Sequence, residues 1–496
     1  MLFNSIDFLI FFPVVTLLYF ALPKRVRWVW LLIASYYFYM SWNPRYAVLI
    51  ALSTFITWLS GVLITRAEAI ADERARTRRK KLWVAASFIS NLAILFFFKY
   101  YGFFAANVNN VFGIAGLDLR APALDVVLPV GISFYTFQAL GYTVDVYRKD
   151  IVPCKNLFRY ALFVSYFPQL VAGPIERSSN LIHQLEQSYD FDAEKARDGL
   201  LLMLWGLFQK VVVADRLAIV VQVVFDQYAT LPGIAVAVGL VLFAFQIYCD
   251  FGGYSNIAIG AAQVIGIDLM QNFRQPYLSR SCAEFWRRWH ISLSSWFRDY
   301  LYIPLGGSRC SKARKHFNLM VTFLVSGLWH GASWSFVVWG GLNGLFQVLG
   351  ERLKPLRDRF WQPICPNRDH PVRKVIQIAT TFVFIDFAWM FFRSGSFRWG
   401  CSMLRHMVVN LHPGGLFYGG WAQLGLGGAE WIVLLASLAV LLAADLVNEK
   451  RPIRPVLVAQ PLPVRWAVCL IGIFVVLIFG VYGPGFSESQ FLYFQF

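Results

Sequence analysis

The sequence predicts an all-α protein that crosses a membrane several times. Of its 496 residues, 58% are hydrophobic and 15% are charged, the mean hydropathy is +0.54, and long apolar stretches recur along the chain. Soluble domains carry about 25% charged residues, so this composition excludes an ordinary soluble enzyme. It also excludes a disordered chain, and seven cysteines are too few for a disulfide-rich secreted protein.

Apolar stretches of membrane length give the predicted order of helices. A helix that spans a bilayer needs roughly 20 mostly apolar residues. The ten clearest candidates are residues 6–22, 28–40, 46–64, 82–104, 126–146, 200–224, 234–249, 375–392, 431–446 and 466–481. With the less regular middle of the chain included, we expect about eleven to thirteen membrane-embedded helices, some re-entrant or broken around a thinned core. They would form a single membrane domain over residues 1–496.

Clusters of Lys and Arg predict the orientation of the chain. Residues 24–27, 66–81 and 148–159 are basic, and the positive-inside rule places such segments in the cytoplasm. The number of spans between them then puts the N-terminus outside. The basic segment 449–454 precedes the last span, which puts the tail 486–496 outside as well. The net charge of +17 therefore reflects cytoplasmic loops and gives no reason to expect a nucleic-acid partner.

The apolar stretch 317–349 has a different character from the other candidate spans. Basic segments flank it on both sides, and each half is too short to cross the bilayer at 1.5 Å per residue. We therefore expect a re-entrant hairpin or a broken helix. The small residues of 327–334, GLWHGASW, would permit the break, and irregular backbone at membrane depth must be surrounded by protein or a water-filled cavity. That places His330 inside the protein.

His330 is the first candidate for chemistry. An ionisable side chain at membrane depth is costly and by default indicates function. Neutral imidazole accepts a proton near physiological pH, which suits a general base. The alternative is a structural core histidine that is hydrogen-bonded to a carbonyl, and depth alone does not separate the two interpretations.

His290 is the second candidate, within the aromatic and basic segment 284–299. If this segment is helical, Glu284 and Arg288 pair at i, i+4, and three apolar side chains share one face. Those side chains are Trp286, Trp289 and Leu293. Three arginines could hold the phosphates of an anionic nucleotide donor. They are Arg287, Arg288 and Arg298. The residues alone favour the alternative, an interfacial amphipathic helix with an aromatic belt.

Asp250 follows an apolar run and could orient a histidine or cap a helix. Asp386 and Asp445 have a similar setting and are expected to be structural. The cysteines form no CxxC pair, so we expect no metal site based on thiolates. The sequence contains no P-loop, GxGxxG or GxSxG motif, which argues against ATP-driven transport and a serine-hydrolase mechanism.

Six motifs, in order along nearly the whole chain, resemble those of the membrane-bound O-acyltransferase family. They are residues 1–5 (MLFNS), 128–138 (LPVGISFYTFQ), 166–175 (YFPQLVAGPI), 250–255 (DFGGYS), 285–290 (FWRRWH) and 328–331 (LWHG). The similarity is to the bacterial branch that includes the membrane subunit of alginate O-acetylation. Where relatives often read DFSGYSD, this chain has Gly252 and Asn256.

The resemblance implies specific roles and partners. It makes His330 the catalytic histidine, has His290 support catalysis, and leaves a supporting role for Asp250. It implies acetyl-CoA as the donor substrate, no permanently bound cofactor, and a location in the bacterial inner membrane. It also implies a periplasmic partner of SGNH-hydrolase type that acetylates an exported polysaccharide. Alginate is the first expectation for that polysaccharide, with a cellulose-like polymer or peptidoglycan as alternatives.

The C-terminal residues, FLYFQF, are similar to an FxYxxF tail of related acyl-export systems. In those systems the tyrosine is proposed to carry the acyl group outside, which implies that role for Tyr493. The alternative is an aromatic interfacial anchor. A second function from another class is transport of a polysaccharide or lipid-linked sugar along intramembrane His and Asp residues. The absence of an internal sequence repeat with a fixed period counts against a transporter.

Overall fold

The computed structural model describes residues 1–122, 124, 127–171, 173–367, 369–416 and 421–482. Helices make up 77% of the structure, and the described residues contain no strand. This confirms the predicted all-α class. The chain divides into two compact units, one of Met1–Leu200 with Ala258–Met270, the other of Leu201–Ile257 with the described part of Gln271–Phe496.

The described residues of the N-terminal part of the chain form nine α-helices. They are α1 (Ile6–Ala21), α2 (Arg27–Met40), α3 (Tyr46–Arg66), α4 (Glu73–Leu95), α5 (Tyr101–Ile114), α6 (Ile132–Arg148), α7 (Leu157–Ser165), α8 (Phe167–Leu170) and α9 (Ser178–Glu186). In the first unit, α3 packs against α4, α6 and α7. Buried polar pairs join these helices: the Tyr160 hydroxyl donates to Thr57 Oγ1 at 2.9 Å, and Ser53 Oγ donates to Asn91 Oδ1 at 2.5 Å.

Thirteen α-helices follow in the part of the remaining chain that the structure describes. They are α10 (Ala193–Leu207), α11 (Asp215–Gln227), α12 (Gly233–Ile265), α13 (Cys282–Arg288), α14 (Ile291–Phe297), α15 (Lys312–His330), α16 (Trp334–Arg352), α17 (Lys354–Ile364), α18 (Pro371–Arg393), α19 (Phe397–Val409), α20 (Gly428–Lys450), α21 (Ile453–Val458) and α22 (Leu462–Phe479). Three π-helical turns continue α4, α10 and α14. These turns are Phe96–Tyr100, Phe208–Ala214 and Arg298–Tyr302.

Six of the described helical segments are long and apolar enough to span a bilayer. They are Tyr46–Ala69, Glu73–Ile114, Gly233–Ile265, Pro371–Arg393, Gly428–Lys450 and Leu462–Phe479. The multi-pass character of the protein is therefore confirmed. The count of eleven to thirteen embedded helices, the outside location of both termini and the single-domain organisation stay predictions.

The break predicted around His330 is present. Helices α15 and α16 form a hairpin joined by residues 331–333. Two glycines allow their backbones to approach closely, because a Cβ on Gly327 would lie 2.3 Å from the Phe336 carbonyl oxygen. A Cβ on Gly340 would lie equally close to the Phe323 carbonyl oxygen. Each leg has 19 residues, about 28 Å, which is longer than expected because the helices extend into the basic flanks.

The segment 284–299 differs from a continuous amphipathic helix. It forms α13 and α14, separated by Trp289 and by His290, whose φ of 43° is left-handed. A neighbouring stretch causes the interruption: Arg274 N–H donates to the Arg288 carbonyl at 3.0 Å, and Ile291 N–H donates to the Asn272 carbonyl at 2.9 Å. The interfacial interpretation is wrong, because Trp286 and Trp289 are buried in the core of the second unit, where they meet other aromatic rings.

Candidate functional site

His330 is the last residue of α15 and lies in an aromatic cage. Its side chain is buried, with 5% of the residue exposed. Three rings meet the imidazole edge-on or face-on with centroid distances of 4.9, 4.9 and 5.3 Å. They belong to Trp329, Trp339 and Phe392. The hairpin break therefore places an imidazole in the interior of the second unit among apolar surfaces.

The glycine after His330 has a steric explanation. A Cβ on Gly331 would lie 2.1 Å from the ring of Phe336. That ring is held in place, since it packs edge-on against Phe392 with centroids 5.1 Å apart. On the other side of the turn, the Ser333 side chain caps α16 by accepting from Ser335 N–H at 3.2 Å. The local sequence thus fixes where α15 ends and how His330 is presented.

His290 lies between α13 and α14 and is 1% exposed. Its ring meets the Phe251 ring edge-on at 4.6 Å and the Trp329 indole at 6.2 Å. Its Nδ1 lies 3.4 Å from Ser292 Oγ. The two histidines, 40 positions apart in the sequence, therefore contact the same indole.

A large cavity lies beside the α15–α16 hairpin within the second unit. Its volume is about 940 Å³, and its walls come from α13, α14, α15, α16, α17 and α18. Most of its surface is apolar, from side chains such as Phe297, Phe346 and Phe384. Six basic side chains also line it: Arg280, Arg287, Arg298, Lys315, Lys354 and Arg357.

The three arginines predicted to bind a donor separate into two groups. Arg287 and Arg298 line the cavity and are exposed. Arg298 also forms an ion pair with its sequence neighbour Asp299, at 2.7 Å. Arg288 forms two ion pairs outside the cavity lining, at 2.7 Å with Glu284 and 2.6 Å with Glu449. The i, i+4 pair of Glu284 and Arg288 was predicted, and it is confirmed.

Four further basic residues of the cavity were not singled out from the sequence. They are Arg280, Lys315, Lys354 and Arg357. Each lies in one of the basic segments 274–298, 309–316 and 352–374, so the signal was present. Sequence spacing could not show that these three segments surround one cavity, because their proximity depends on how α13, α15 and α17 pack.

Two indoles connect the cavity to His330. Trp286 lines the cavity and contacts Trp339 with ring centroids 5.6 Å apart. Trp339 in turn contacts His330 at 4.9 Å, and the Trp286 Nε1–H donates to Asn343 Oδ1 at 3.2 Å. Ser326, one helical turn before His330, also lines the cavity. The imidazole thus lies just behind the cavity wall.

Asp250 belongs to a buried ionic cluster. Lys210 Nζ lies 2.7 Å from Asp250 Oδ1 and 2.9 Å from Asp215 Oδ1, and all three side chains are at most 5% exposed. Lys210 was not identified from the sequence, although a lysine within the apolar stretch 200–224 was a usable signal. Asp445, expected to be structural, accepts from the Tyr248 hydroxyl at 3.1 Å.

Two further predictions concern Tyr493 and metal binding. Tyr493 lies outside the described residues, so its proposed role as an acyl carrier stays a prediction. Among the residues described, no group of three or more His, Cys, Asp or Glu side chains is arranged to hold a metal ion.

Comparison with known proteins gives a family match and full-length relatives. The family model described as membrane-bound O-acyltransferase matches residues 149–394. The probable alginate O-acetylase AlgI of Pseudomonas putida is 34% identical over 518 residues, which cover 100% of this chain and 100% of that protein. The peptidoglycan O-acetyltransferase of Helicobacter pylori is 33% identical over 440 residues, covering 82% of this chain and 80% of that protein.

A more distant relative is named for the transfer of a different acyl group. The teichoic acid D-alanyltransferase of Streptococcus thermophilus is 26% identical over 287 residues, covering 53% of this chain and 68% of that protein. The names of the three relatives share transfer of an acyl group, and they name alginate, peptidoglycan or teichoic acid. They differ in the polymer, and one of them differs in the acyl group.

Proposed function

The chain belongs to the membrane-bound O-acyltransferase family and is a multi-pass acyltransferase, and on that premise we propose the substrates and the path of transfer. The donor is cytoplasmic acetyl-CoA. The acetyl group passes through the protein in the bacterial inner membrane and ends on an exported polysaccharide, with alginate as the first candidate. Peptidoglycan is the second, since the relative named for it is nearly as similar, at 33% against 34% identity.

One observation carries this proposal: His330 is buried directly behind the wall of a large cavity with basic residues in its lining. Ligand sites of ordinary size have volumes of about 300–1,000 Å³, and this cavity is at the upper end of that range. Arginine and lysine bind phosphate groups, and apolar walls accept a long thin acyl-carrying arm. A CoA thioester has both parts, an anionic nucleotide and a mostly uncharged pantetheine arm.

Within the cavity, the exposed arginines Arg287 and Arg298 hold the phosphates of the donor. The pantetheine arm extends along the apolar walls toward Ser326 and Trp286. For the thioester to reach His330, the indoles of Trp286 and Trp339 must rotate or shift, because they stand between the cavity and the imidazole.

His330 acts as the general base in the transfer step. The acceptor hydroxyl gives its proton to the imidazole while its oxygen attacks the thioester carbon. The carbon–sulfur bond breaks, an ester bond forms, and the departing thiolate takes up the proton from His330. In the alternative, the imidazole itself takes the acetyl group and relays it. His290 positions the donor on the other side of Trp329.

The acceptor side of the reaction requires further components. A periplasmic partner of SGNH-hydrolase type would place the acetyl group on the exported polymer. Tyr493 is the proposed acyl carrier between the membrane protein and that partner, and an aromatic anchor at the interface is the alternative role for this residue.

Labelled acetyl-CoA supplied to the protein in nanodiscs tests the function directly. The proposal predicts release of free CoA in amounts above those from empty nanodiscs, and transfer of label to the protein or to an added hydroxyl acceptor. If the polymer moves across vesicles containing the protein while no CoA is released, the transporter alternative replaces this proposal.

A further inference from the structure

A chain of buried polar side chains runs from His290 to α12. Ser292 Oγ lies 3.4 Å from His290 Nδ1 and donates to Asn272 Oδ1 at 2.6 Å. Asn272 Nδ2 in turn donates to Ser255 Oγ at 3.0 Å. All four residues are at most 1% exposed. Such a chain in a protein interior is strongly ordered, because each buried polar group needs its partner.

The protons available in this chain of side chains determine which group donates each hydrogen bond. A serine hydroxyl has one proton, and a carbonyl-type amide oxygen can only accept. The short contact from Ser292 to Asn272 Oδ1 therefore uses the serine proton. Toward His290, Ser292 presents a lone pair, so the proton between these two residues belongs to His290 Nδ1. Neutral imidazole carries a single N–H, which leaves Nε2 unprotonated.

We propose that Asn272 and Ser292 are positioning residues that hold His290 in its Nδ1–H tautomer, with Nε2 as a hydrogen-bond acceptor. This inference rests on the proposed function, because it assigns the chemistry of a residue in that site. Any group that hydrogen-bonds to Nε2 of His290 must then donate an O–H or N–H to it. Neutral His290 cannot donate to the oxyanion that forms when the thioester carbon is attacked.

The backbone supports the same assignment. The Asn272 carbonyl accepts from Ile291 N–H at 2.9 Å, so Asn272 holds both the main chain beside His290 and the side chain of Ser292. His290 has a φ of 43°, a left-handed conformation that costs a residue with a side chain about 1–3 kcal/mol. Surrounding contacts offset that cost, and the backbone conformation sets the orientation of the imidazole ring. Side-chain variants at Ser292 leave these backbone hydrogen bonds in place.

Nitrogen-15 spectra of the full chain in nanodiscs, labelled at histidine, test the tautomer without relying on activity. His290→Gln identifies the His290 signals. We expect wild type to show a protonated Nδ1 and an unprotonated Nε2. A protonated Nε2, alone or together with Nδ1, overturns the proposal even if every variant is inactive.

Two substitutions at Ser292 connect the tautomer to turnover. Ser292→Ala should lose the fixed tautomer and lower kcat on the order of 10- to 100-fold, the size of the loss when an orienting partner of a metal-ligating histidine is removed. The KM for acetyl-CoA should stay close to that of wild type. Ser292→Thr keeps the hydroxyl and should restore both the tautomer and most of kcat.

The outcomes separate this inference from the proposed function. If wild type shows the expected tautomer and yet releases no CoA, the proposed function fails and the positioning chain stands. If wild type turns over acetyl-CoA and Ser292→Ala keeps both tautomer and kcat, the positioning role is overturned. Should Ser292→Ala not fold, the wild-type spectrum still decides the tautomer.

Discussion

His290 and His330 contact the same indole: the Trp329 ring lies 6.2 Å from the imidazole of His290 and 4.9 Å from that of His330. Two unrelated breaks in helical structure produce this arrangement. One is the end of α15 at Gly331, and the other is the left-handed residue between α13 and α14. Disturbing either break should therefore disturb the chemistry.

The first prediction concerns the glycine at the hairpin turn. Gly331→Ala should destabilise the protein by about 1–3 kcal/mol, as overpacking of a core does, because the new methyl group would overlap the Phe336 ring. CoA release should fall as well, since relief of the overlap moves the end of α15. Thermal unfolding and CoA release measure the two effects.

A second glycine of the same hairpin provides the control. At Gly341 an added Cβ would meet Leu324 at 3.5 Å, an ordinary contact. Gly341→Ala should leave stability unchanged or raised, since alanine favours helix by up to about 1 kcal/mol. Equal losses at positions 331 and 341 would contradict the steric explanation.

The second prediction concerns donor binding. Arg287→Ala and Arg298→Ala should each raise the KM for acetyl-CoA on the order of 10-fold with little change in kcat, because each removes a phosphate contact of about 1.5–3 kcal/mol at most. Arg309→Ala is the matched control: this arginine is exposed and does not belong to the cavity lining described above. Unchanged KM values in both cavity variants would contradict the assignment of this cavity to the donor.

Substitution of Arg288 should affect stability rather than donor binding, unlike substitution of Arg287 or Arg298. Its guanidinium is paired with Glu284 and Glu449, which connects α13 to the end of α20. Arg288→Ala is therefore expected to lower the unfolding temperature and to leave the KM for acetyl-CoA nearly unchanged. An increase in KM without a loss of stability would place Arg288 in donor binding instead.

The third prediction concerns the buried ionic cluster. Lys210→Met would leave the carboxylates of Asp215 and Asp250 buried without their shared cation, which typically costs about 3–5 kcal/mol. We expect a large loss of folded protein by size-exclusion chromatography. Lys210→Met combined with Asp215→Asn and Asp250→Asn should recover much of it. A Lys210→Met protein that is as stable as wild type would contradict a structural role for the cluster.

The sequence predicted some breaks in the helices better than others. The turn at residues 331–333 was predictable, because glycines and small residues lie in the middle of an apolar stretch whose flanks are both basic. The break at His290 was not, because it depends on backbone hydrogen bonds with Asn272 and Arg274, which lie 18 and 16 positions before His290 in the sequence. Helical spacing over 284–299 gave no sign of that competition.

The site residues also include some that the sequence predicted and some that it did not. Both histidines were identified from sequence, His330 as an ionisable group within an apolar stretch and His290 within an aromatic and basic segment that matches a family motif. Lys210 was overlooked, although its partners Asp215 and Asp250 make it a buried cation. The shared cavity of Arg287, Lys315 and Arg357 required the packing of several helices, which no local pattern encodes.

The catalytic role of His330 is tested most directly by measuring CoA release from the His330→Ala variant in nanodiscs. His183→Ala, on the exposed part of α9, serves as the matched control, and near-native unfolding temperatures establish that both variants are folded. We predict that turnover falls by about 10²–10⁴-fold in His330→Ala, the usual contribution of a general base, and is unchanged in His183→Ala. A folded His330→Ala protein that turns over acetyl-CoA at the wild-type rate would show that His330 is not the general base.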